Sequence, residues 1–313
     1  MESSFVRLIG AAFFALIIIY YFSSQKYPCS APLSLEQLKA KFAHEYKDIL
    51  VSTVAHRGFH YANDNTRRPL ENTLPAYEHA WSVGIRFCEC DVQLTKDGEI
   101  VLSHDEDLRR LALNPIKITK TVKNSRFPDL ELTPLKDGSR VPKLVEVLGA
   151  AKRFGDGNYA KLIIEVKGDD LECVKSVNKV LASPLGENAM IVMGFSISVV
   201  RHFAVVNSRK GQVLSMLLTV RKPSSNSEEE RTFDLYNYSD ILDDLKRSTI
   251  DGLYVEYDES FLRTPTKFQE LCSKVPIGVW GISDIENAAQ IVRTLTKLGA
   301  KFVNSDFGDN CFP

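Results

Sequence analysis

Two strand-like runs carry charged side chains where core residues belong. One reads Ile85-Arg86-Phe87-Cys88-Glu89-Cys90-Asp91-Val92, the other Leu162-Ile163-Ile164-Glu165-Val166-Lys167. Strand residues two apart share a face, so Glu89 pairs with Asp91 and Glu165 with Lys167. Buried carboxylates are costly unless they are paired or hold a metal. Three that converge suit a divalent cation with oxygen ligands, Mg²⁺ or Ca²⁺. Two histidines follow apolar runs: His56 after Val51–Ala55, and His104 after Ile100–Ser103. Their unperturbed pKa near 6.5 suits proton transfer near neutrality.

A hairpin relates the second histidine to the carboxylates. Asp97-Gly98 is a strong two-residue turn signal. With that turn, Lys96 pairs with Glu99 and Asp91 with His104, so Glu89, Asp91 and His104 share one face. The register matters, because a slip of one residue sends His104 to the other face.

The elements that must hold these residues alternate along the chain. Strand-like runs fall at 51–55, 86–92, 99–103, 160–166, 190–195, 212–218, 251–257, 276–282 and 301–304. Helical stretches fall at 73–83, 142–153, 170–182, 197–206, 236–247, 259–273 and 284–298, with Asn72 or Thr73 as a cap for the first. Alternation implies βαβ units and a parallel sheet. One of the nine runs belongs to the hairpin, which leaves eight for an α/β TIM (β/α)8 barrel over residues 49–313; a doubly wound sheet is the alternative. His56, Asp91, Glu165 and Asp306 fall at strand C-terminal ends, where barrels place their chemistry. Residues 105–140 read as an insertion after the second-strand hairpin, and 221–234 as a solvated loop.

Composition bounds the partners. The chain has 313 residues, 44% hydrophobic and 25% charged, with net charge −1. That balance fits a globular enzyme and argues against nucleic acid as a partner. The six cysteines form no CxxC zinc pattern. Cys88 and Cys90 face away from Glu89 and Asp91, as small apolar residues under a helix. Asn237-Tyr238-Ser239 is a glycosylation sequon. Leu8 to Phe22 carries no charge and ends in Tyr20-Tyr21-Phe22. It reads as a transmembrane anchor or signal-anchor over 1–24, at the short end for a span, with a cleaved leader as the alternative. Residues 25–48 are then a linker and a short helix. The expected location is a single-pass membrane protein of the endomembrane system or cell surface, with the membrane as a partner.

The ordered set His56-Arg57-Gly58, Glu71-Asn72-Thr73, Glu89-Cys90-Asp91, His104-Asp105 and Glu165-Val166-Lys167 resembles the glycerophosphodiester phosphodiesterase family. Asn304-Ser305-Asp306-Phe307 is similar to the family's closing Thr-Asp-x-Pro, with Gly308 in place of the proline. The resemblance implies a TIM barrel that hydrolyses glycerol-containing phosphodiesters with a divalent metal. By motif, Glu89, Asp91 and Glu165 hold the metal, and His56 and His104 are general base and acid. His104 is also open to the role of a fourth ligand. Arg57 and Lys167 hold the phosphate, Trp280 stands over the site, and Glu71 and Asn72 support it from behind. A phosphodiester fits this set physically, because its anionic oxygens and developing charge need fixed cations. Two routes are open: attack by the neighbouring glycerol hydroxyl through a cyclic phosphate, or direct attack by water.

The expected substrates are glycerophosphodiesters or lysophospholipids. Two alternatives stand: phospholipase C-like hydrolysis of an intact glycerophospholipid such as phosphatidylglycerol, and an inactive barrel that acts as a binding protein. Leu108, Leu111, Leu113, Ile116 and Ile118 of the insertion read either as contacts to acyl chains or as its own packing.

Overall fold

The computed structural model describes residues 35–60, 68–154, 159–219, 245, 247, 249–282 and 287–306. The chain divides into two compact units, Met1–Leu38 and Lys39–Pro313. Of the first, the described residues begin the helix α1, Leu35–Glu45.

Among the described residues, the second unit is built on nine strands: β1 Thr53–Ala55, β2 Phe87–Leu94, β3 Ile100–Leu102, β4 Lys161–Val166, β5 Ala189–Gly194, β6 Leu214–Thr219, β7 Gly252–Glu256, β8 Ile277–Ile282 and β9 Phe302–Ser305. Eight of them pair in parallel, in the order β1-β9-β8-β7-β6-β5-β4-β2, and β1 pairs with β2 to close the ring. This is the expected eight-stranded barrel. β3 is the extra strand and runs antiparallel to β2.

Both faces of the parallel strands are covered, so they read as apolar runs rather than alternating ones. The interior stacks Val54, Phe87, Ile163, Ile191, Met193, Met216, Leu218, Tyr254 and Phe302, with Trp280 packed against them. Outside, the helix Ala288–Lys297 buries Ala288, Ala289, Val292 and Leu295, the stripe of a 3.6-residue period. The helix Leu171–Leu181 starts at Asp170, whose carboxylate accepts from the backbone N–H of Glu172 and Cys173. The single helix expected over 259–273 is two, Ser260–Arg263 and Pro265–Lys274, because Pro265 cannot continue the first.

β2 is long enough to have two partners on one edge. β1 takes Phe87 and Cys88, and β3 takes Val92, Gln93 and Leu94. The hairpin therefore stands above the end of β1. Its register corrects the expected one. Leu94 opposes Ile100, and Thr95 N–H donates to Glu99 O, so the loop holds three residues, Lys96 to Gly98. Only Gly98 of these has positive φ, at 86°. A two-residue type I′ turn needs two such residues; one at the third position gives the three-residue loop. Asp91 O accordingly accepts from Ser103 N, and His104 is not the strand partner of Asp91.

The insertion has its own small core: Leu108, Leu111, Ala112, Val122, Phe127, Leu130, Leu135 and Val141 gather over Leu70 and Val101. Leu108 and Leu111 are thus packing residues, and Ile118 is packed against the same cluster. Leu113 and Ile116 are exposed, at 62% and 92%.

The expected single-pass membrane location is corrected. No helix among the described residues is long and apolar enough to cross a membrane. The longest of them run 11 residues, about half of the ~20 a span requires. The run Leu8–Phe22, on which that expectation rested, lies outside the described residues, as do the loop 221–234, the sequon and most of the helix expected over 236–247.

Candidate active site

The carboxylates come together because two adjacent strands, β2 and β4, carry them on their inward faces. Asp91 and Glu165 are register partners on β2 and β4, and Glu89 points inward one layer below Asp91. One oxygen from each of Glu89, Asp91 and Glu165 lies within 4.8 Å of the others. Glu89 and Asp91 are each 1% exposed and Glu165 8%.

Fixed cations partly offset this charge. Lys167 Nζ stands 2.7 Å from Glu165 Oε1 and 3.4 Å from Asp91 Oδ1. Arg57 Nε stands 3.2 Å from Asp91 Oδ2, and the Arg57 backbone N–H donates to Glu89 Oε2 at 3.0 Å. Glu89 Oε1 and Asp91 Oδ1 are buried with no hydrogen-bond partner. Burial, then the charge of Asp91, pushes the Glu89 carboxyl up to about 8, against the pull of His56. Glu165 is raised by burial and Asp91. Burial also acts to raise Asp91, but Arg57, Lys167 and the two histidines hold it below the usual range.

The loop after β1 is shaped for this task. Arg57 and Asn72 both adopt φ of 55°, a left-handed conformation that non-glycine residues rarely take, and Asn72 N donates to Arg57 O at 3.0 Å. Gly58 follows with φ of 85°, where a Cβ would meet Ala76 at 2.8 Å. Asn72 does not cap the helix Leu74–Ser82. Its amide donates to Asp91 Oδ2 at 2.8 Å, and its carbonyl accepts from Tyr77 Oη at 2.8 Å and from Asp91 N at 3.2 Å. Glu71 binds Arg57 Nη1 at 2.9 Å.

Each of the two histidines is held at Nδ1 by a carboxylate. His56 is bonded to Asp306, and His104 to Asp105 at 2.8 Å. The other nitrogen of His56 is left facing inward, 3.9 Å from Glu89 Oε2. Burial pulls His56 down, but the charge and hydrogen bond of Asp306, then Glu89, outweigh it and raise the imidazole to about 9. Asp306 is held far below the usual range by the same pairing, although burial opposes it. Burial lowers His104, with Asp91 and Asp105 opposing. The charge of Asp91 therefore reaches His104 even without strand pairing.

Trp280 lies on β8 and packs against the barrel interior. Its indole N–H donates to Thr219 O at 3.1 Å, and its ring meets the partly exposed Phe195 edge-on, with centroids 5.6 Å apart.

Four residues escaped the sequence reading or were undervalued by it. Asp306 stood there only as a strand end and motif residue, yet β1 and β9 pair as Ala55 with Ser305, which delivers it to His56. Asp105 sits beside His104 in sequence. His60 is buried at 2% exposure, with Nε2 3.7 Å from Asp306 Oδ1, and His56, His60 and Asp306 form a second group able to share a cation. Arg110 reaches in from the insertion to Glu71, and nothing in its sequence setting marked it.

Fold and site together define an (β/α)8 barrel protein with an enzyme-like cluster of carboxylates, histidines and cations at the C-terminal mouth. Residues 56–183 match the glycerophosphoryl diester phosphodiesterase family. The glycerophosphodiester phosphodiesterase of Bacillus subtilis is 34% identical over 132 residues, 38% of this chain and 41% of its own length. Human lysophospholipase D GDPD1 is 44% identical over 57 residues, 18% of this chain and 16% of its own. The chain thus spans less than half the length of these relatives. A Parabacteroides distasonis glycerophosphodiester phosphodiesterase has the same fold at TM-score 0.61 and 19% identity, covering 83% of this chain and 94% of that one. An Oleispira antarctica phosphodiesterase, solved with the product sn-glycerol-3-phosphate, fits at TM-score 0.60 and 19% identity over 83% and 94%.

Proposed function

We propose that the chain hydrolyses glycerol-containing phosphodiesters, glycerophosphodiesters or lysophospholipids, by general acid–base chemistry at this mouth with a divalent cation, Mg²⁺ or Ca²⁺. The observation that carries the reading is the three buried carboxylates within 4.8 Å of one another, with His56 Nε2 3.9 Å from Glu89. Two of their oxygens are buried without a hydrogen-bond partner, which fits a cation held by oxygen donors. Glu89, Asp91 and Glu165 would hold it.

When bound, the dication supplies positive charge to the phosphoryl oxygens and opposes protonation of His56. Arg57 and Lys167 orient the phosphate as fixed cations. His56 Nε2 takes the proton of the attacking hydroxyl, that of water or of the neighbouring glycerol carbon. Asp306 fixes the tautomer by accepting from Nδ1 and stabilises the imidazolium that forms. His104, held at Nδ1 by Asp105, gives a proton to the departing alcohol from Nε2. Trp280 and Phe195 offer the apolar part of the substrate a wall.

The test is turnover of glycerophosphocholine, a lysophospholipid and phosphatidylglycerol, with and without chelator. Hydrolysis of the first two that the chelator abolishes supports the reading. Cleavage of phosphatidylglycerol alone favours the phospholipase C-like alternative, and no turnover at all the inactive binding barrel.

A further inference from the structure

One side chain from the insertion touches the supports of both halves of the site. Arg110 lies in the turn that follows Asp105, on the segment packed over Leu70 and Val101. Its Nη1 and Nη2 donate to Glu71 Oε2 and Oε1, each at 2.7 Å. Its Nε donates to Asp105 Oδ2 at 2.7 Å. Glu71 holds Arg57 at 2.9 Å, and Arg57 stands 3.2 Å from Asp91. Asp105 holds His104 Nδ1 at 2.8 Å through its other oxygen.

We propose that Arg110 is a positioning residue for the reaction: its guanidinium locks Glu71 and Asp105 together, so that Arg57 is aimed at the phosphate and His104 at the leaving oxygen. This rests on the phosphodiesterase reading above. The geometry requires a planar fork. Three donors of one guanidinium are shared between two carboxylates, which a lysine ammonium cannot reproduce at the same spacing. Burial makes the arrangement consequential. The Glu71 side chain is 5% exposed, so without Arg110 it would keep its ion pair with Arg57 and pull that side chain toward itself. Asp105 is 34% exposed, and without Arg110 it is free to turn from His104 into solvent. The insertion is thereby a working part of the site, since its small core fixes the backbone from which Arg110 reaches.

The experiment compares two substrates on the purified full chain. Glycerophosphocholine leaves as an alkoxide that needs a proton; the p-nitrophenyl ester of glycerol phosphate leaves as a phenolate that does not. Arg110→Ala is expected to lower kcat on the choline ester about 100-fold, the scale of general acid catalysis, and to lower it less than about 10-fold on the nitrophenyl ester. KM should rise on both as Arg57 loses its aim. Added guanidinium should restore part of the lost rate, and Arg110→Lys should stay impaired. Asp105→Asn keeps the grip on Glu71, so it should show the leaving-group effect without the rise in KM, and it decides the matter if Arg110→Ala does not fold. Equal losses on the two esters, or unchanged kcat on both, would overturn the proposal. If the wild-type chain hydrolyses neither ester, the phosphodiesterase reading fails by itself. Imidazole ¹⁵N NMR then judges the positioning role: Arg110→Ala must alter the Nδ1 signal of His104 and leave His79 unchanged, and an unaltered His104 overturns it.

Discussion

His56 and Asp306 meet one residue beyond the paired ends of the first and last barrel strands, Nδ1 to carboxylate. The closure of the barrel therefore makes the dyad. Asp306→Asn keeps the shape and removes the charge. It should lower kcat by about 100-fold or more, the range of acid–base catalysis. His56 is raised to about 9, against burial, chiefly by Asp306. Without that charge it loses its proton at lower pH, so the acid limb of kcat/KM should move down by about one unit or more. A pH–rate profile measures both; an unmoved limb would separate Asp306 from the chemistry.

Glu165→Ala should nearly abolish turnover of a glycerophosphodiester while circular dichroism and thermal unfolding show an intact fold. The carboxylate is one of three in the cluster and is tied to Lys167 at 2.7 Å. Full activity of this variant in chelator-treated buffer would sink the metal assignment.

Glu89 should make stability depend on pH and on the proposed cation. Its folded pKa of about 8 lies above its ordinary value, raised first by burial and then by Asp91. The folded state binds that proton more tightly than the unfolded one. Cation-free protein should therefore lose stability as pH rises from about 4.5 to 8. Glu89→Gln should raise the Tm of chelated protein at pH 8 by about 3 °C or more, and should reduce the stabilisation that Ca²⁺ or Mg²⁺ gives the wild type. Melting curves at pH 5 and 8, with and without cation, check the sign. A wild type equally stable at both, with no response to either cation, would contradict it.

Gly98 separates backbone strain from catalysis. Its φ is 86°, and a Cβ there meets nothing within 4 Å. Gly98→Ala should cost about 1–2 kcal/mol for the left-handed conformation alone, with kcat unchanged, because the three-residue loop does not set His104 against Asp91. Denaturant unfolding beside steady-state kinetics measures the two effects. A large fall in kcat at unchanged stability would restore a role for the turn in placing His104.

Much of the site could be read along the chain. Strand alternation put Glu89, Asp91 and Glu165 on inward faces, and the alternation of strands with helices gave the barrel that brings them together. Both are local periodicities, which sequence carries directly. The left-handed Arg57 was not legible, because arginine does not announce positive φ, and Asn72 is of a type that serves a helix cap as readily as a left-handed turn. The turn was misjudged by one residue. Asp97-Gly98 fits two loop lengths, and Asp97 is bound by Thr95 and by the backbone of Phe127 in the longer one. Sequence alone determined which groups are present and which face of each strand they occupy. The tertiary structure decided their partners, Asp306 for His56 across 250 residues and Arg110 for Glu71 across 39. Such pairs depend on ring closure and on how the insertion packs, and a charged side chain carries no mark of the distant carboxylate it will meet.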